Sequence, residues 1–240
     1  MRRLPSRPDL PPHTSKKIVQ ETFKTNTVVG AQEKISAASS RYKQARSAKW
    51  FSPVVESLKF MACEGQKCMT CSGGEAAQVE HYRPKSTYPL HAFVWENLLW
   101  ICSVCNLAKG DKFDEQCRPV DPTCEDVWEY FFIDEFGNFC AVWSDRTNSL
   151  DARAVETIKL YELDRQALQE TRLARLNELK RFLVDSATLK QKGQLSEEDL
   201  QQRALEFHAN PLQPDVVDYF LNGPGSTEQG VAQFFAVAGL

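Results

Sequence analysis

CMTC (68–71), VEHYRPK (79–85) and WENLLWICSVCNLAKGDK (95–112) are the stretches from which the rest of this 240-residue chain can be read. Two Cys-x-x-Cys pairs, Cys68/Cys71 and Cys102/Cys105, lie 30 residues apart. Paired knuckles of this kind predict a closed structural zinc site, because four thiolates fill the Zn²⁺ tetrahedron and leave no open position. Between and behind the knuckles stand Glu80, His81, Asn97 and Asn106. Imidazole titrates near neutral pH, so His81 is the candidate general base. An amide oxygen is a harder ligand than imidazole, so a metal held at Asn106 is expected to be Mg²⁺ or Mn²⁺ over Zn²⁺. Strict alternation along a strand sends neighbours to opposite faces, so the sequence predicts a bulge or twist if Glu80 and His81 share one site.

Three cations accompany these groups. Lys109 follows Asn106 by three residues on the same helical face and is a candidate phosphate ligand. Arg83 and Lys85 flank the histidine and are candidates for the neighbouring phosphate backbone. The net charge of −3 divides into +8 over residues 1–112 and −11 over residues 113–240. A basic half that contains the site suits a phosphate-rich partner. The acidic half suits a protein partner or bare solvent. The plainer alternative is that both charge patterns are solvated helix faces.

Hydrophobic content of 42% and charged content of 25% are those of an ordinary globular chain. No apolar run approaches the roughly 20 residues of a membrane span. The opening MRRLPSRPDLPPHT lacks the apolar segment of a secretory signal, so a cytoplasmic location is expected. In a reducing compartment the 8 cysteines argue for metal ligation over disulfides. Cys117, Cys124 and Cys140 are then free thiols, and Cys63 is an alternative zinc ligand.

Taken along the chain, prolines 5, 8, 11 and 12 predict an extended start over 1–14. Helices are expected at 16–24, 31–49 and 53–61, a strand at 79–82, an apolar run at 98–101 and a helix at 103–109. A hairpin is expected over 128–133 and 138–143 with Gly137 at its turn and its aromatics in the core. Helices follow near 151–161, 164–189, 196–208, 214–222 and 227–238. The reading is α+β in three parts: a basic helical N-terminal arm (1–62), a zinc-stapled core (63–145) and a helical C-terminal region (146–240).

The order Glu80-His81, Asn97, Asn106, stapled by CxxC…CxxC, resembles the HNH endonuclease family and its ββα-metal core. The resemblance implies that Glu80 ligates a divalent metal, that His81 activates water and that Asn97 holds the base in orientation. Asn106 stands where that family has its last histidine, which makes this chain an H-N-N variant with Asn106 as metal ligand. EHYRPKS (80–86), NLLWICSVCNLAKGDKF (97–113), VDP (120–122) and ETIKLYELDRQALQETR (156–172) extend the likeness over roughly residues 68–175. That wider phrase is similar to the HNH nuclease subunit of Septu-type antiphage systems, which also occurs as a retron effector. The resemblance implies hydrolysis of nucleic acid, DNA ahead of RNA, and a partner that is an ABC/SMC-like ATPase. Three alternatives stay open: a non-catalytic zinc ribbon that binds nucleic acid or protein, a stand-alone HNH nuclease of a restriction or mobile element, and His91 in place of His81. No base-reading motif is present.

Overall fold

Eight α-helices and three short antiparallel strand pairs make up the described residues (1–62, 67–209 and 214–227) of the computed structural model, an α+β arrangement. Strand β1 (Gln78–His81) pairs with β2 (Leu98–Ile101) in a register running from Gln78 opposite Ile101 to His81 opposite Leu98. All four β2 side chains are buried. Helix α3 (Ser52–Met61) packs against β2, presenting Val54, Leu58 and Met61 as a stripe at helical spacing. Each such side chain taken from water contributes about 1.5–3 kcal/mol. Helix α4 (Ser103–Lys109) leaves β2 directly and packs on β1 and on α5 (Ala152–Tyr161).

The N-terminal segment is not a free arm. Helix α1 (Pro12–Asn26) starts ahead of position 16, with proline in its first turn where a missing N–H costs nothing. Helix α2 (Ala31–Ala45) stops short of Lys49, which belongs to a separate 3₁₀ turn, Lys49–Phe51. Ile18, Ala38, Tyr42 and Ala45 are buried. The Arg7 guanidinium donates to the carbonyls of Trp95 (3.0 Å), Glu96 (3.1 Å) and Leu98 (2.8 Å) and to the Thr123 hydroxyl (3.0 Å). Charge-assisted bonds of this kind tie the first residues to the start of β2.

Beyond the strand pair, β3 (Phe131–Ile133) and β4 (Phe139–Ala141) form the expected hairpin. Gly137 turns it with φ 80, and a Cβ there would lie 2.6 Å from the carbonyl oxygen of Gln169 in α6 (Gln166–Gln191). Trp128 sits in a 3₁₀ turn rather than in the strand, and it is buried as expected. Trp143 departs from the expected core: it lies in β5 (Trp143–Ser144), paired with β6 (Ser149–Leu150), and is 58% exposed. Ser149 and Leu150 are exposed as well, so this two-residue ribbon offers it no layer to pack under.

Helices α7 (Glu197–Ala209) and α8 (Pro214–Asn222) follow, and a 3₁₀ turn, Pro224–Thr227, completes the described chain. Ser196 and Asp199 cap α7 reciprocally, each side chain bonded to the other's backbone N–H. A buried ion cluster joins Met1 to α6 and α8: Arg172 Nε lies 3.0 Å from Asp215, and the Met1 amino group lies 3.5 Å from the same carboxylate. Asp218 accepts from the Arg3 backbone N–H and from Trp128 Nε1, both at 2.8 Å. The helix expected over 227–238 lies, beyond Thr227, outside the described residues, as does Cys63. No helix among the described residues is long and apolar enough to cross a membrane.

Candidate metal centre and adjoining cleft

Cys102 caps α4, its sulfur accepting from the Cys105 backbone N–H at 3.5 Å. The second knuckle is therefore the first turn of a helix, and that turn accounts for its i, i+3 spacing. The first knuckle is a tight turn closed by Ser72 N–H on the Cys68 carbonyl, with Ser72 itself at φ 57. It is held to the strand pair by Met69 N–H on the Trp100 carbonyl (3.0 Å). A Cβ on Gly74 would lie 2.9 Å from Cys102 Cβ and 3.0 Å from its sulfur, so only glycine lets the two knuckles close this far.

All four cysteines are buried, with their sulfurs within 4.8 Å of one another and Cys71 and Cys102 at 3.8 Å. A tetrahedron with Zn–S bonds of about 2.3 Å places its sulfurs about 3.8 Å apart. The donor set fits a structural Zn²⁺. Arg165, between α5 and α6, directs both terminal guanidinium nitrogens at Cys105 Sγ, each at 3.8 Å, and Gly74 N–H donates to Cys71 Sγ at 3.4 Å. Positive charge and an N–H toward the sulfurs favour the thiolate form that a metal requires.

Beside this cluster a cleft of about 520 Å³ is lined by Gln78, Glu80, His81, Pro84, Lys85, Ser103, Asn106, Leu107, Gly110 and Asp111. The β1/β2 ladder is regular through His81, so no bulge brings Glu80 and His81 together. His81 instead ends the strand, and the cleft reaches both residues there. His81 is 3% exposed, packed edge-on against Tyr42 with ring centroids 4.5 Å apart. Its Nε2 is 3.0 Å from the Ala92 carbonyl, which selects the Nε2–H tautomer and leaves Nδ1 as the basic nitrogen. Burial, then the Lys85 ammonium, push its pKa down to about 4, while the bond to Ala92 pulls the other way.

The cations divide between cleft and scaffold. Lys85 lines the cleft. Lys109 is wholly buried and donates to Glu80 Oε1 at 2.8 Å and to the Gly110 carbonyl at 3.3 Å. Arg83 lies outside the cleft lining, bidentate on Glu115 at 3.0 and 3.3 Å. Asn97 is 4% exposed: its amide accepts from Arg83 N–H (2.7 Å) and donates to the carbonyls of Arg83 (3.0 Å) and His91 (2.9 Å). It thereby pins both ends of the loop that leaves His81. The His91 ring lies outside the cleft, against Tyr88.

Three residues with roles here escape a motif reading. Asp111 adds a carboxylate to the cleft mouth, and Gln78 bonds the Asn106 amide. Period-two spacing from Glu80 was the available signal for Gln78. Arg165, 60 residues from Cys105, left no local signal at all.

No family model matches the chain. Over 121 residues it is 27% identical to the Septu protein PtuB of Bacillus thuringiensis. The aligned part covers 48% of this chain and 44% of that protein, so the chain matches somewhat less than half the length of this relative.

Proposed function

We propose that this chain is a metal-dependent nuclease of the HNH, ββα-metal type, cutting DNA in preference to RNA. We further read it as the nuclease effector of a cytoplasmic antiphage defence complex with an ABC/SMC-like ATPase subunit. The observation that carries the reading is the convergence of Glu80, His81 and Asn106 on one cleft beside the four-cysteine cluster. The likeness to a Septu protein supports the defence setting.

In this reading His81 Nδ1 takes the proton of the attacking water, and burial keeps that nitrogen unprotonated at neutral pH. Glu80 and the Asn106 amide oxygen would hold Mg²⁺ or Mn²⁺; they are hard donors at one cleft, and the bound ion would supply charge stabilisation to the phosphate oxygens. Lys85 attracts the nucleic-acid backbone. Lys109 neutralises Glu80 from behind rather than reaching phosphate, since its ammonium is wholly buried against that carboxylate. Arg83 keeps a role at the rim, where release from Glu115 would free it for a flanking phosphate. Asn97 orients the base through the loop backbone.

The Lys109–Glu80 ion pair also favours a second reading, a zinc-ribbon module whose acidic residue is structural. A plasmid-nicking assay separates the two, with wild type beside His81→Ala in Mg²⁺, Mn²⁺ or EDTA, with and without the ATPase subunit. The nuclease reading expects metal-dependent nicking that falls about 10²–10⁴-fold in a variant retaining its zinc and its fold. Binding without metal-dependent cutting in every arm overturns it in favour of the module.

A further inference from the structure

Two side-chain rungs join β1 to α4. Glu80 meets Lys109, and two residues earlier on the same strand face Gln78 Oε1 accepts from Asn106 Nδ2. The strand period of two and the helix spacing of three bring these pairs into register. Gln78, Glu80 and Asn106 all line the cleft.

A primary amide has one acceptor end and one donor end, and only the oxygen end can ligate a cation. Asn106 turned the other way would aim its NH₂ at the metal and repel it. In the arrangement present Asn106 Nδ2 donates to Gln78 Oε1, which leaves the Asn106 oxygen without a protein donor among the described residues. We propose that Gln78 is a positioning residue for the catalytic metal, holding the Asn106 amide with its oxygen toward the cleft. The proposal rests on the reading of Asn106 as a metal ligand. It adds a residue that the H-N-N motif does not contain.

The test is Mn²⁺ binding to the full zinc-loaded chain, followed by the electron paramagnetic resonance signal of free Mn²⁺. Gln78→Leu is expected to weaken binding about tenfold, within the range for residues that orient metal ligands. Gln78→Glu, which can only accept, keeps Asn106 in the same orientation and is expected to bind Mn²⁺ at least as well as wild type. The deciding arm is the Asn106→Asp background. A carboxylate presents oxygen at either end, so there Gln78→Leu is expected to change affinity by less than about twofold. An equal loss in both backgrounds overturns the proposal, because position 78 would then act through the fold alone. Unchanged affinity in Gln78→Leu with weakened binding in Asn106→Ala overturns it while leaving the ligand assignment standing. Unchanged affinity in Asn106→Ala removes the ligand assignment itself, and the proposal with it. Zinc content and the thermal midpoint of each variant identify a failure to fold, in which case Gln78→Glu decides: weakened binding in that folded variant overturns the proposal.

Discussion

Arg165 reaches the Cys105 sulfur with both terminal nitrogens at 3.8 Å, from the junction of two helices 60 residues downstream. A Zn(Cys)₄ centre would carry two excess negative charges, and this guanidinium would offset part of that charge at the buried sulfurs. Arg165→Ala is expected to lose zinc about tenfold more readily in competition with a chromogenic chelator. Arg165→Lys is expected to recover only part of the loss, because an ammonium cannot fork toward one sulfur.

Gly74 sets a steric condition on the same centre. Gly74→Ala brings a methyl to 2.9 Å from Cys102 Cβ, closer than real contacts allow. The expected cost is about 1–3 kcal/mol, the usual range for overpacking, with a zinc-to-protein ratio below one. A urea melt and metal analysis on the same sample check both.

His81 makes stability depend on pH. Its folded pKa, about 4, lies below the unfolded value of about 6.5, so the unfolded chain binds the extra proton first as pH falls. The stabilisation is complete above pH 6.5 and is lost progressively down to about pH 4, on the order of 3 kcal/mol in all. Urea midpoints at pH 7 and pH 5 measure it, and His81→Gln is expected to flatten the difference. The acid limb of any activity governed by His81 lies near pH 4 to 5 for the same reason.

Asn97 is expected to be more sensitive than its single position suggests. Asn97→Asp keeps the acceptor for Arg83 N–H and loses both donors, leaving the Arg83 carbonyl unpaired and the His91 carbonyl with only the Val94 N–H. A cost of about 2–4 kcal/mol follows from two lost bonds at a buried site. Faster amide exchange over residues 82–92, with β2 unchanged, locates the damage in the loop.

Much of this architecture was legible in the residues. Val54, Val55, Leu58 and Phe60 mark a helix by spacing, although Phe60 is exposed and Met61 is the buried residue at its end, and Asp134 to Gly137 marks a hairpin by turn chemistry. The four cysteines announce their cluster at short range. What stayed hidden is long-range and polar. Arg7 sits in a proline-rich stretch with no period, and its partners are carbonyls 88 to 91 residues away, which carry no sequence signature. Trp143 looked like core because an aromatic in an alternating run usually is, yet its ribbon is only two residues long. Glu80 and His81 meet one cleft without a bulge because the strand ends at His81, and strand ends are the least legible feature of a sequence.

Asp218 has a consequence for how the protein is made. The seat of the Arg3 backbone N–H is 215 residues further along the chain. At the ribosome's 5–20 residues per second, roughly 10–40 s pass between synthesis of Arg3 and synthesis of Asp218. During that interval the proline-rich start can already dock on β2 through Arg7, but it cannot close on α8. The bond between Arg3 and Asp218 can form only once α8 has been made, so a nascent chain stalled before α8 lacks it.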